Sequence, residues 1–120
     1  MTSLQKKEII KKNTFDKDDW SSAYQNVELE LENQSLEISK GNIINELDGT
    51  LFRNGPGILE RDGQWVHHPF DGDGMITAIR FKKGKATLTN KFVKTKGFLE
   101  EKKKNKFIYR GVFGTQKKGG

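Results

Sequence analysis

The chain has 120 residues, with 22 Lys and Arg against 16 Asp and Glu, a net charge of +6, and no cysteine. That length suits one small domain, and the absence of thiols excludes a disulfide framework, a zinc ribbon and a cysteine nucleophile. Apolar runs of two or three residues cannot span a bilayer, and MTSLQKKEIIKK has no apolar signal core, so a soluble, cytoplasmic chain is expected.

Residues 1–26 carry five lysines and no sustained period, which predicts an extended or disordered arm with Trp20 and Tyr24 as docking points. From Val27 to Leu31 the pattern V-E-L-E-L alternates as a half-buried strand does, and Leu36 and Ile38 repeat it up to Gly41. A strand from Gly49 to Arg53 is expected to stop at the turn cluster Asn54-Gly55-Pro56-Gly57. Trp65 to Phe70 reads as a strand, and Asp71-Gly72-Asp73-Gly74 as a turn. Met75 to Phe81 alternates, Lys83-Gly84 turns the chain, and Lys85 to Val93 runs back with Ala86, Leu88 and Phe92 as apolar marks. Phe107 to Phe113 completes the set, with no long helix expected after residue 26. The fold class is therefore all-β, an antiparallel meander of the kind that builds sandwiches, barrels and propeller blades.

Charge is segregated along the chain. Residues 1–60 hold 7 basic and 11 acidic side chains, and residues 61–120 hold 15 and 5. A basic half with interleaved aromatics is what a single-strand nucleic-acid binder needs. The alternative places Lys82, Lys83, Lys85, Lys102, Lys103, Lys104 and Lys106 in turns between strands, beside Gly84 and Asn105. That arrangement is common in soluble domains, so no specific nucleic acid is expected, while weak contact with anionic membrane surfaces stays open.

Asp71 and Asp73 resemble clustered calcium ligands, but Met75 and Lys82 stand where an EF-hand needs oxygen donors. The simpler reading is a turn in which both aspartates bond backbone N–H groups and the glycines take positive φ. His67 and His68 are adjacent, so on a strand their rings point to opposite faces and cannot chelate one metal; one is expected in the core or bonding a turn. All five serines precede residue 40, which removes a nucleophile from their neighbourhood. Neither Gly111-Val-Phe-Gly114 nor Gly55-Pro56-Gly57 fits a phosphate-loop or dinucleotide fingerprint. Taken by their chemistry alone, the residues assemble no active site.

Three stretches in order carry a resemblance: Gly49-Thr-Leu-Phe-Arg-Asn-Gly-Pro-Gly57, His68-Pro-Phe-Asp-Gly-Asp-Gly-Met75, and Lys91-Phe-Val-Lys-Thr95 through Phe98-Leu-Glu-Glu101. Together they resemble the N-terminal part of the carotenoid cleavage oxygenases, the retinal pigment epithelial membrane protein-like family. Ile108-Tyr-Arg-Gly-Val-Phe-Gly-Thr115 is similar to its cyanobacterial apocarotenoid oxygenases. The resemblance covers roughly residues 20–120.

The resemblance implies a seven-bladed β-propeller with an axial iron(II) held by four histidines and oriented by glutamates behind them. Its chemistry is the splitting of a conjugated double bond of a carotenoid or apocarotenoid by O₂. Residues 27–120 would supply the outer segment and first blade, incomplete in this chain. His68 matches a family histidine that is not an iron ligand, so no catalytic, cofactor-binding or metal residue carries over. Arg53, Asn54, Gly55, Pro56, Asp71, Gly72, Asp73 and Gly74 match positions that shape turns around that blade. A lone blade exposes faces and edges that neighbours cover, so the chain is expected to be catalytically silent and marginally folded alone. The rival readings are a non-enzymatic β-module pairing with the rest of a split propeller, and the nucleic-acid binder. For a family that takes lipidic substrates, peripheral contact with a membrane is a further expectation.

Overall fold

A computed structural model describes residue 18 and residues 20–115. The arm expected over residues 1–26 lies outside the described residues apart from Asp18 and the stretch from Trp20 onward.

The best-formed unit is a hairpin. Strands β5 (Asp73–Lys82) and β6 (Lys85–Phe92) pair in unbroken register from Met75 opposite Phe92 to Lys82 opposite Lys85. Lys83 and Gly84 both hold positive φ, 50° and 74°, the two-residue turn whose twist matches that of its strands. β2 (Gly49–Ile58) joins the other side of β5, and the two-residue β1 (Gln34–Ser35) joins β6. The resulting antiparallel sheet has the order β1-β6-β5-β2, so among the described residues the first strand lies beside the last. A plain meander would have kept the strands in chain order. Between β2 and β5 the chain inserts a small second hairpin, β3 (Glu60–Arg61) with β4 (Gln64–Trp65). A short 3-10 turn (Pro69–Asp71) follows.

Two expected turns and two expected strands are replaced. β2 continues through Asn54-Gly55-Pro56-Gly57 instead of stopping there. Pro56 is tolerated because β2 is an edge strand, where a missing N–H breaks no ladder bond. Gly57 sits at a bulge between Pro56 and Ile58, so Arg53, Asn54, Gly55 and Pro56 shape a strand and its irregular end, not a turn. Of the Asp71–Gly74 stretch, Asp71 ends the 3-10 turn while Asp73 and Gly74 already belong to β5; neither Gly72 nor Gly74 takes positive φ. The strand expected over Trp65–Phe70 ends at Trp65. Residues 107–113 form no strand.

The alternating stretch 27–31 is likewise not a regular strand, yet it runs along β6. Leu31 O accepts the Asn90 N–H at 3.0 Å, Asn90 Oδ1 accepts the Leu31 N–H, and the Glu30 carboxylate accepts the Phe92 N–H at 2.9 Å. Side chains here supply bonds that a ladder would take from the backbone.

The largest departure is α1 (Lys96–Lys104), which the sequence reading did not contain. Thr95 caps it by accepting the Phe98 N–H at 3.0 Å, and Asn105 closes it in the left-handed conformation. Lys102, Lys103 and Lys104 occupy its last turn, where cations favour the helix dipole, and not a turn between strands. Its buried residues are Phe98 and Glu101, and Phe98 stacks on Phe92 of β6 at 5.2 Å between ring centroids. The architecture is thus mostly β, with antiparallel sheets and one short helix.

A small core of Trp20, Leu59, Val66 and Phe107 lies beside the second hairpin, with Trp65 packed against it. Asn26 ties the N-terminal stretch to this region. Its Oδ1 accepts the Leu59 and Glu60 N–H groups at 2.7 and 3.1 Å, and its Nδ2 donates to Glu60 O at 2.8 Å.

Leu59 is fully buried, whereas Leu29 is 74% exposed. Leu59→Ala should therefore cost about 2–5 kcal/mol and Leu29→Ala no more than about 0.5 kcal/mol, read from urea midpoints. A Cβ on Gly57 would lie 2.7 Å from Phe92 Cε1 and 2.9 Å from Met75 Cβ. Gly57→Ala is expected to destabilise by about 1–3 kcal/mol through overpacking.

Candidate functional site

The 3-10 turn, the start of β5, α1 and the segment after it meet around a cleft of about 240 Å³. Asp71, Asp73, Glu101 and Arg110 line it together with Phe98 and Tyr109. Three carboxylates so close would repel one another unless each had its own partner, and each does.

Asp73 pairs with Arg61 at 2.6 Å, and both side chains are largely withdrawn from solvent. The Arg61 guanidinium lies 5.7 Å from the ring centroids of both Phe98 and Phe107, a cation between two aromatic faces. Burial pushes the Asp73 carboxyl above the ordinary aspartate value. The bond and charge of Arg61 oppose that shift without cancelling it, and the Glu101 charge adds to it. Folding thus takes stability from ionised Asp73: that cost grows as pH rises through the unfolded value towards the folded one, and is constant above it.

Glu101 is buried, and its Oε1 accepts the Ile108 and Tyr109 N–H groups at 2.9 and 3.0 Å. Those are donors a strand over 107–113 would have given to a neighbouring strand, so the helix carboxylate takes the place of a ladder. Asp71 treats the next segment in the same way. Its Oδ1 accepts the Phe113 N–H at 2.9 Å, and its Oδ2 accepts the Thr115 N–H at 3.1 Å and hydroxyl at 2.7 Å. Burial raises the Asp71 carboxyl, but these three bonds and the nearby His68 outweigh it and hold the group below the ordinary aspartate value.

Both aspartates were expected to bond backbone N–H groups; Asp71 does so, whereas Asp73 forms an ion pair with Arg61 instead. His68 Nδ1 accepts the Phe70 N–H at 3.1 Å, a turn-bonding histidine, and its ring stacks on Phe113 at 4.8 Å. His67 donates its backbone N–H to the Thr115 hydroxyl at 2.7 Å. Asn54, Gly55, Pro56, Gly72 and Gly74 line a second hollow with Pro69 and Phe70, about 350 Å³ in volume. Arg53 is exposed on β2.

Among the described residues no group of three or more His, Asp or Glu is placed to hold a metal ion. The residues present do not fit an iron centre, since the carboxylates of the cleft are spent on N–H groups and on Arg61. What the arrangement does chemically is bind four segments of chain to one another. Sequence reasoning missed Arg61, Glu101 and Thr115. Arg61-Asp62-Gly63-Gln64 did hold a signal, because Asp-Gly is a preferred two-residue hairpin turn that would have placed Arg61 on a strand.

Comparison with known proteins places this arrangement. Residues 24–119 match the family of the retinal pigment epithelial membrane protein. The apocarotenoid-15,15'-oxygenase of Synechocystis sp. is 46% identical over 108 residues, which is 89% of this chain and 22% of that protein. The probable chloroplastic carotenoid cleavage dioxygenase 4 of Arabidopsis thaliana is 40% identical over 86 residues, 70% of this chain and 14% of that one. Among solved structures, cobalt-substituted Synechocystis ACO superposes with a TM-score of 0.78 at 47% identity, over 88% of this chain and 22% of its own. An ACO/RPE65 chimera gives 0.77 at 46%, over 90% and 22%. The chain thus spans about a fifth of the length of the Synechocystis relative.

Removing Arg61 alone would strand the buried Asp73. Arg61→Ala is expected to cost about 3–5 kcal/mol, and Arg61→Met combined with Asp73→Leu much less than the two single changes together, read from denaturant midpoints.

Proposed function

The chain belongs to the retinal pigment epithelial membrane protein family, and from that premise we propose that it is the N-terminal part of an iron(II)-dependent dioxygenase cleaving carotenoid or apocarotenoid double bonds. The observation that carries this reading is a 46% identical match running through 108 residues of an apocarotenoid oxygenase. On this reading residues 27–120 form the outer segment and first blade of a seven-bladed propeller. The iron ligands lie in other parts of the enzyme, and the 120-residue chain alone is inactive. The chain's own residues position chain segments: Arg61, Asp71, Asp73 and Glu101 fix the turn, helix and exit segment of the blade. Carotenoid or apocarotenoid and O₂ are the substrates of the whole protein, and the remainder of the propeller is the partner of this part. A cytoplasmic protein at the membrane surface suits an apolar substrate, and no helix among the described residues is long and apolar enough to cross a membrane.

A second reading is a non-enzymatic β-module that pairs with the rest of a split propeller. The exposure of Phe52, at 69%, and of Ile76 on the same sheet face favours it.

The 120-residue chain supplied with Fe(II), O₂ and an apocarotenal should release no cleavage product by chromatography and mass spectrometry. Co-expression with the remaining segment of the Synechocystis relative should give cleavage on the first reading, and a stable inactive complex on the second. Turnover by the 120-residue chain alone would overturn both.

A further inference from the structure

The segment Gly111–Thr115 crosses the 3-10 turn, where the Asp71 carboxylate takes three of its donors, the Thr115 hydroxyl accepts the His67 N–H and Phe113 stacks on His68. Within the segment the Gly111 N–H donates to Thr115 O at 2.9 Å. The three donors to Asp71 are the Phe113 and Thr115 N–H groups and the Thr115 hydroxyl. The approach is close: a Cβ on Gly111 would lie 2.2 Å from Asp71 Cγ, so only glycine admits the carboxylate at this point.

We propose that Asp71 is a proton-operated clasp: as a carboxylate it holds the strap Gly111–Thr115 against the turn at residues 67–71, and as a neutral acid it lets the strap go. The inference is independent of the oxygenase reading.

The donor arrangement gives the clasp its sign. Thr115 is 4% exposed, and its hydroxyl gives its proton to Asp71 while accepting the His67 N–H. With the hydroxyl thus oriented, every group of the strap that meets Asp71 is a donor. A carboxylate accepts all three as charge-assisted bonds, whereas a carboxylic acid is a weaker acceptor with one lone-pair site fewer, so protonation weakens every hold on the strap at once. The charged and titratable groups around the cleft come from every packed element: His68 on the turn, Asp73 on β5, Glu101 on α1, and Tyr109 and Arg110 before the strap. Asp73 is committed to Arg61 and Glu101 to two N–H groups, which leaves Asp71 as the acid whose protonation acts on the strap. The fold holds Asp71 below the ordinary aspartate value, so the stabilisation is whole above the unfolded value and is lost as pH falls through the folded one.

Release has a visible consequence. Phe113 sits on the strap and stacks on His68, which with Phe70 makes an aromatic tip. Closing the clasp forms the tip, and opening it disperses the tip.

The test is residue-resolved amide hydrogen exchange on the 120-residue chain, normalised to intrinsic rates, from neutral pH into acid. At neutral pH the Phe113 and Thr115 amides should be protected. In acid their protection should fall by roughly tenfold or more while the β5–β6 ladder keeps its own. Asp71→Asn should lose protection at both amides at every pH. Thr115→Ser should behave as wild type, and Thr115→Val, which deletes the hydroxyl's bond to Asp71 together with its acceptance of the His67 N–H but leaves both strap amides facing the carboxylate, should fall between. If Asp71→Asn also lost the ladder, the wild-type pH course and Thr115→Val would decide. Three results would overturn the clasp: no protection at these amides in wild type at neutral pH, the same pH course in Asp71→Asn as in wild type, or a loss in acid that merely follows the ladder.

Discussion

A single buried cation organises the junction of this structure. Arg61 stands on a two-residue strand, reaches the first residue of β5 through Asp73, and lies between Phe98 of the helix and Phe107 beyond it. Four pieces of chain that share no backbone ladder thereby share one guanidinium. A buried ion pair adds little net stability over a well-packed apolar pair, but it tolerates very few alternative arrangements. Its value here is positional: with Arg61 seated, α1 can lie only where Phe98 meets both the cation and Phe92.

The same economy recurs on either side. Glu101 and Asp71 each take backbone donors from segments too short or too irregular to join a sheet. Acidic side chains thus stand in for missing strands, and this explains where the sequence was legible. The β5–β6 hairpin could be read because period two, a Lys-Gly turn and tight register are all local. The stretch 107–113 has the composition of a strand, but its donors are claimed by carboxylates far from any pattern a short window can detect. The helix was hidden for a related reason. One of its two buried residues is Glu101, so its inward face shows no apolar stripe. Thr95 and Asn105 at its two ends, with lysines between, were the signal that remained.

The turn expected at Asn54–Gly57 failed in the opposite direction. Local propensity was read correctly, but pairing with β5 across nine registered positions overrode it and reduced the interruption to a bulge at Gly57. At the site, the sequence indicated aspartates that bind backbone N–H groups, which holds for Asp71 and not for Asp73, and one histidine of the pair in the core or bonding a turn, which is His68. It could not supply their partners, because Thr115 lies 44 residues from Asp71. The family, by contrast, was legible from motif order alone, since order and spacing survive without any knowledge of contacts.

The Asn26 bridge bears on how such a structure is reached. The β5–β6 hairpin closes across a loop of two residues, whereas Asn26 reaches Leu59 over a separation of 33. Loop-closure entropy grows with the length enclosed, so the hairpin assembles on its own account and the Asn26 bond forms only once the second hairpin exists to receive it. As the ribosome delivers the N-terminus first, the stretch around Asn26 waits unpaired for the later strands. The tie at Asn26 thus depends on residues made well after it.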